Sequence, residues 1–279
     1  MIAEIFISNY KSIHDQHITL GRVNVLYGRK GSGKTNIIEA IGMAAAAHDD
    51  ALDTGSLLKR GIRAVKPSLT FHASPLVQNQ SKAIEISWYE KNSWKKTKLV
   101  CDDTDGINAL WKDVSWYDPE YVDKMNNLIK FIGDGSIEEN YPFADEAKNT
   151  TLNAAFRGSR NFRDFVIYNA DTDAVENTDK PDIYGENLLA LIDSKQTPSI
   201  FAIDDIEKIV APEQYNGLIR SIAMSVIRNN KQAYITASEP EIVKGLDLAD
   251  PEQKLFLVKT LENGQTVVEK ITDMTLINL

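Results

Sequence analysis

Two segments far apart in the chain carry residues that could act together on a phosphate. The first, Gly28-Arg29-Lys30-Gly31-Ser32-Gly33-Lys34-Thr35 followed by Asn36, fits G-x-x-x-x-G-K-[ST] at every fixed position. Glycines let a backbone curl until successive N–H groups and a helix N-terminus face one anion. Lys34 would then reach the β- and γ-phosphates of a nucleotide, and Thr35 would offer a hydroxyl to Mg²⁺. The second segment, Ser199 to Glu207, is an apolar run closed by Asp204 and Asp205. A phosphate loop needs a carboxylate at the end of a buried strand to support its metal, so Asp204 is assigned there and Asp205 to the attacking water. The bland alternatives are a glycine turn without a ligand, and Asp205 as a helix N-cap or solvated turn residue.

These residues need a strand, loop and helix to hold them. Val23 to Tyr27 is a short β-rich run entering the loop, and Ile37 to Ala47 has helix-forming composition behind it. Ahead of both, Ile2 to Ile7 alternates apolar and polar, with His17 to Leu20 able to pair back as an edge strand. Downstream of Asp204, a helix is expected from Pro212 to Asn229, with Leu218, Ile219, Ile222 and Val226 on one face. A strand follows at Gln232 to Thr236. Lys254 to Leu261 and Gln265 to Ile271 should form a hairpin whose Asn263-Gly264 turn supplies positive φ angles. Strands alternating with helices imply a mostly parallel, helix-covered sheet, an α/β P-loop NTPase core.

The stretch between the loop helix and Asp204 is too long for one crossover. Leu69 to Ala73, Ala83 to Tyr89 and Lys95 to Cys101 read as short antiparallel strands, with a turn at Asn92-Ser93. Helical patches at Pro119 to Ile132 and Thr150 to Phe156 follow in polar sequence. The expected organisation is a nucleotide-core half over 1–66, an antiparallel β insertion over 67–102, a helical subdomain over 103–186, and the second core half over 187–279. No repeat or heptad run is visible.

Composition bounds the rest. The chain has 279 residues, 43% of them hydrophobic, and a net charge of −9. Nothing approaches the roughly 20 apolar residues of a membrane span, and no secretory signal opens the chain, so a cytoplasmic, membrane-free protein is expected. The acidic balance weakens, without excluding, a DNA-binding reading. Cys101 is the single cysteine, and His14, His17, His48 and His72 lack zinc-ligand spacing with it. Arg157, Arg160 and Arg163, interleaved with Phe156, Phe162 and Phe165, suit a helical face better than a nucleic-acid groove. Gln78 and Gln80 fall where a loop could meet Mg²⁺, though a polar connection explains them equally. Asp49-Asp50, Asp53, Asp102-Asp103-Asp105 and Asp171-Asp173 read as solvated loops rather than a two-metal nuclease.

Taken together, Asn9-Tyr10-Lys11-Ser12-Ile13, the octet with Asn36, Phe201-Ala202-Ile203-Asp204-Asp205, and Thr236 to Pro240 with Gly245 to Leu248 resemble the ABC-type ATPase heads of the SMC, RecF and OLD group. The resemblance implies an ABC-type mixed sheet with an inserted β subdomain and a helical subdomain. It also implies ATP and Mg²⁺ as cofactors and a head-to-tail homodimer or higher homo-oligomer around the nucleotide. Departures are specific. Asp205 stands where the group carries glutamate, and Ser238 where it carries a switch histidine. The signature loop is reduced to Ile183 to Asn187 with Gly185 retained, and Arg29 and Lys30 occupy positions where asparagine is common.

With neither coiled-coil arms nor a TOPRIM nuclease domain expected, the resemblance implies a stand-alone head with weak hydrolysis. Such a head would control a separately encoded effector, for example a nuclease in bacterial anti-phage defence. The alternatives are a non-hydrolysing, nucleotide-dependent scaffold or a RecF-like DNA-repair ATPase.

Overall fold

A computed structural model describes residues 1–63, 65–72, 83–101, 111–115, 158–169, 186–215 and 217–276. In chain order the elements are β1 (Ile2–Tyr10), β2 (Ile13–Thr19), β3 (Val23–Tyr27), α1 (Lys34–His48), α2 (Thr54–Lys59), β4 (Ile84–Glu90), β5 (Ser93–Cys101), β6 (Trp111–Asp113), α3 (Arg160–Arg163), β7 (Val166–Tyr168), α4 (Glu186–Asp193), β8 (Ile200–Ile203), α5 (Leu218–Arg228), β9 (Gln232–Ala237), α6 (Pro240–Val243), β10 (Gln253–Thr260) and β11 (Thr266–Ile271). Among the described residues, no helix is long and apolar enough to cross a membrane.

The strands form two sheets. One is antiparallel, in the order β2-β1-β4-β5-β6. The other has six strands in the order β11-β10-β3-β9-β8-β7, parallel except for the β10–β11 hairpin. Strands β3, β8 and β9 sit inside this sheet with helices available to both faces. They are buried almost along their whole length because both of their faces are covered, and the polar Asn24, Gln232 and Thr236 within them are all hydrogen-bonded.

Helix α1 lies in the core between the sheets. Ile37, Ile38 and Ile41 are buried there, each contributing about 1.5–3 kcal/mol of transfer free energy. Its second half is Ala44 to Ala47, whose small side chains let neighbouring elements approach closely. On the far face of the six-stranded sheet, Leu188 and Ile192 of α4 pack with the apolar stripe of α5 and with Ile242 and Val243 of α6. Two buried amides fasten the six-stranded sheet to neighbouring backbone, and the first of them bridges the two sheets. Gln232 bonds to both the N–H and C=O of Ile2, and Asn24 bonds to Gly21 and to the Ala233 carbonyl.

Several expected elements change at their ends. In its described part, Leu69 to His72, the segment expected as a strand from Leu69 to Ala73 is not one: Pro67–Leu69 is a 3-10 turn and Phe71 makes one isolated bridge to Tyr10. Proline at the first position presets that turn. The β4–β5 turn falls on Lys91-Asn92, one residue earlier than expected, with both residues at positive φ as a two-residue hairpin loop requires. Of the Asn263-Gly264 pair only Gly264 has positive φ. Helix α5 begins at Leu218 rather than Pro212, after a 3-10 turn over Pro212–Gln214.

Two strands lie in the segment expected to be helical, β6 in one sheet and β7 at the edge of the other. A three-residue strand carries too little pattern to be told from a loop. Strands β4 and β5 extend the sheet begun by β1 and β2 instead of standing alone. The helical patches at 119–132 and 150–156, and Gln78, Gln80, Arg157, Phe156 and Gly185, lie outside the described residues.

Candidate nucleotide and metal site

The parallel strands deliver the site at their carboxyl ends, where open α/β sheets place ligands. Tyr27 ends β3 and opens the loop Gly28 to Thr35. Ile203 ends β8 and leads to Asp204. Strand β9 runs between these two and brings Thr236 and Ser238 to the same edge. The loop needs two of its glycines for different reasons. A Cβ on Gly28 would lie 2.2 Å from the Val258 carbonyl oxygen. Gly33, at φ 95, caps α1 and would meet the Thr266 hydroxyl at 2.0 Å.

Lys34 is 4% exposed. Its ammonium donates to the carbonyls of Gly28 at 2.7 Å and Arg29 at 3.0 Å and lies 3.0 Å from Ser238 Oγ. Burial pushes its pKa below the ordinary lysine value, against the opposing pull of Asp205, Glu207 and Asp204. Thr35 Oγ1 lies 3.0 and 3.1 Å from the two Asp204 carboxylate oxygens. Thr236 donates to Asp204 Oδ1 at 2.6 Å and accepts from the Asp205 N–H at 2.7 Å. Burial holds the Asp204 carboxyl above the ordinary range, the Thr236 and Thr35 hydroxyls oppose this, and the Asp205 charge adds to it.

This donor set fits Mg²⁺. The ion takes one or two protein oxygens and completes its shell with water and phosphate, so it does not need an all-protein cage. Thr35 Oγ1 and Asp204 supply hard oxygens side by side, and a buried carboxylate with a raised pKa is one that an adjacent cation would relieve. Among the described residues, no cluster of three acid, histidine or cysteine side chains could hold a metal on its own. A cavity of about 640 Å³, lined by Gly28 to Ser32, Ser238 and Leu257 to Thr260, opens beside the loop. Arg29, Lys30 and Gly31 are exposed there.

Asp205 is placed differently from what its position after Asp204 suggests. Its backbone is left-handed, at φ 47, and its carboxylate lies 3.1 Å from Lys208 Nζ. Glu207, which sequence reasoning passed over, accepts from the Ser238 N–H at 3.2 Å. Thr236 was also missed as a site residue, because a threonine inside an apolar strand looks like packing.

A third group was invisible in sequence. Glu39, on α1 one turn after Thr35, is fully buried and binds Lys11 Nζ at 2.6 Å and Arg63 Nε at 2.7 Å. Asn36 Nδ2 donates to Ser12 Oγ at 2.7 Å, and Ser12 in turn lies 2.6 Å from Thr266 Oγ1, which donates to the Ser32 carbonyl. These bonds fasten the β1–β2 turn and the β11 strand to the phosphate loop.

Several of the other candidates that are described have structural partners. Phe162 and Phe165 are buried in the core, Arg163 and Arg60 both reach Asp49, and Asp53 caps α2 through the Ser56 N–H. His48 packs on Trp88, and His17 pairs with Glu4.

A family model for an AAA domain matches residues 4–209. Over 101 residues the chain is 34% identical to the DNA replication and repair protein RecF of Ruminiclostridium cellulolyticum. That match takes in 36% of this chain and 26% of RecF's length. Among solved structures, the chain is similar to the SmcHead bound to the C-winged helix domain of ScpA, at 14% identity and a TM-score of 0.50 over 99% of both chains. The SMC head domain from Thermotoga maritima aligns over 97% of this chain and 98% of its own, at 13% identity and a TM-score of 0.48. At such identities the likeness is one of fold.

Proposed function

The chain belongs to the AAA domain family, and from that premise we propose that it is an ATP- and Mg²⁺-binding ATPase head of the SMC/RecF type. It dimerises around nucleotide and uses a slow hydrolytic cycle to control a separately encoded effector. The observation that carries the reading is the direct bonding of Thr35 to Asp204, with Thr236 on the same carboxylate and Lys34 held by Ser238 at the same sheet edge.

In this reading the loop N–H groups and the start of α1 bind the β-phosphate. Lys34 exchanges its carbonyl partners for β- and γ-phosphate oxygens, a stronger, charge-assisted bond. Thr35 and Asp204 hold Mg²⁺, which when bound neutralises charge on the phosphates. Thr236 fixes the Asp204 rotamer through Oδ1, leaving Oδ2 beside the Thr35 hydroxyl on the metal side. Gly185 marks the loop that would meet the nucleotide of a second copy. The defence setting and a nuclease effector rest on the motif resemblance alone.

Fluorescent-nucleotide titration of wild type, Lys34→Ala and Asp204→Asn, with and without Mg²⁺, tests the reading. Wild type is expected to bind ATP, Lys34→Ala to lose it, and Asp204→Asn to lose the Mg²⁺ dependence. Failure of wild type to bind at millimolar ATP would falsify the proposal. Light scattering with ATP checks the dimer.

Two observations support second readings. The Asp205–Lys208 pair favours a non-hydrolysing scaffold, for which ATP-dependent assembly without turnover is the signature. The RecF similarity favours a DNA-repair role, which salt-sensitive duplex binding would reveal.

A further inference from the structure

Glu207 stands out among the acids around Lys34. It lies on the 3-10 turn Ile206–Lys208 that follows β8, and Ile206 anchors this turn in the core. The Tyr215 hydroxyl donates to the Glu207 carbonyl at 3.2 Å and braces the turn from outside. Among the described residues the carboxylate is fixed by one oxygen: Oε1 accepts from the Ser238 N–H, while Oε2 is buried and finds no partner there. Leaving a buried acceptor unpaired costs about 1–3 kcal/mol, more when it is charged, so an orphan of this kind calls for an explanation. The same Ser238 that holds Oε1 touches Lys34 Nζ through its hydroxyl. Glu207 is therefore one residue removed from the ammonium that would sit on the γ-phosphate.

Asp205, the acid expected to handle water, is committed elsewhere. Its charge weighs more on Lys34 than that of Glu207. Yet its carboxylate is paired with Lys208 and its N–H is bound by Thr236. It is also one methylene shorter than glutamate, so its reach from the strand end is less. Glu207 supplies the longer arm from a backbone position two residues further on.

We propose that Glu207, and not Asp205, is the carboxylate that receives the proton of the attacking water. The proposal rests on the ATPase reading above. In the step, the water oxygen bonds to the γ-phosphorus and the bond from that phosphorus to the β–γ bridging oxygen breaks. The electron pair of the broken bond leaves on ADP, and the water proton passes to Glu207 Oε2 and from there to the released phosphate. Ser238 would keep Glu207 and Lys34 in register during this transfer, holding one through its N–H and the other through its hydroxyl.

The test measures ATP affinity and phosphate release for the full-length wild type, Glu207→Gln, Glu207→Asp and Asp205→Asn. Glutamine keeps the shape and the acceptor for the Ser238 N–H, so ATP affinity should stay within about threefold while kcat falls roughly 100-fold or more, the loss typical of a missing general base. Glu207→Asp should recover part of the rate, and Asp205→Asn should lose less than about tenfold. A purely structural role would instead move affinity and thermal stability together with turnover.

Three results overturn the proposal: Glu207→Gln turning over near the wild-type rate, Asp205→Asn losing more than Glu207→Gln, or wild type binding ATP with no turnover at all. Wild type that does not bind ATP removes the ATPase reading beneath it as well.

Discussion

Glu39→Gln is the perturbation whose consequence can be worked most fully from the structure. Glu39 is fully buried and accepts four hydrogen bonds: from Lys11 Nζ at 2.6 Å, and from Arg63 Nε, Nη2 and N at 2.7, 3.0 and 3.1 Å. Glutamine has nearly the same shape but no charge, and its NH₂ would point a donor at a donor. Lys11, only 11% exposed at its side chain, would be left as a buried cation without its counter-charge. Breaking a buried pair in this way costs about 3–5 kcal/mol. Arg63 is 58% exposed and can turn to water. The expected loss is therefore near the low end, about 3 kcal/mol.

The pH dependence of the same group follows. Burial alone would raise the Glu39 pKa, but the Arg63 hydrogen bonds and the Lys11 and Arg63 charges outweigh it and hold the carboxyl below its ordinary value of 4.5. A depressed carboxyl contributes stability that is fully present above the unfolded value and is lost as pH falls through the folded one. Tyr10, packed beside it, is neutral throughout this acid range like any tyrosine, and burial and the Glu39 charge raise its pKa further. Urea unfolding of wild type and Glu39→Gln from pH 7 down to pH 3 should thus show the gap between them narrowing below about pH 4.5. A variant within about 0.5 kcal/mol of wild type at pH 7, or a gap that widens on acidification, would refute the reasoning.

Gly33→Ala should destabilise the apo protein by about 2 kcal/mol or more, since alanine must take a left-handed backbone and displace the Thr266 hydroxyl. Urea unfolding checks it, and loss of nucleotide binding should accompany it. Thr236→Val, which keeps shape and removes the hydroxyl, strips Asp204 Oδ1 and the Asp205 N–H of one partner each. A loss of about 2–4 kcal/mol is expected, and a change under about 0.5 kcal/mol would mean that the hydroxyl does not organise the site.

Much of the site could be read from residue order because its chemistry is local. The phosphate loop is a continuous octet whose glycines, lysine and threonine work at fixed spacing, so Lys34 and Thr35 could be assigned without coordinates. The apolar run before Asp204 and the periodic face of α5 announced themselves through burial, which acts on contiguous residues. The ends of elements were less legible. The shift of the β4–β5 turn by one residue, the 3-10 entry to α5 and the three-residue strands β6 and β7 depend on partners distant in sequence.

What the sequence alone determined is that this chain has a loop shaped for a phosphate, followed by a helix, and an acidic strand end able to face it. Tertiary structure decided what surrounds each acid. Asp205 and Glu207 are neighbours in the chain, and position favoured the first. Only the fold shows that Lys208 pairs with Asp205, that Ser238, just after β9, holds one oxygen of Glu207, and that Thr236 joins the Asp204 carboxylate to the Asp205 N–H while Thr35 ties Asp204 to the loop. The physical reason is that a side chain's role follows from the charges and donors that surround it, and here these come from β9, a strand distant in sequence, and from the turn after β8.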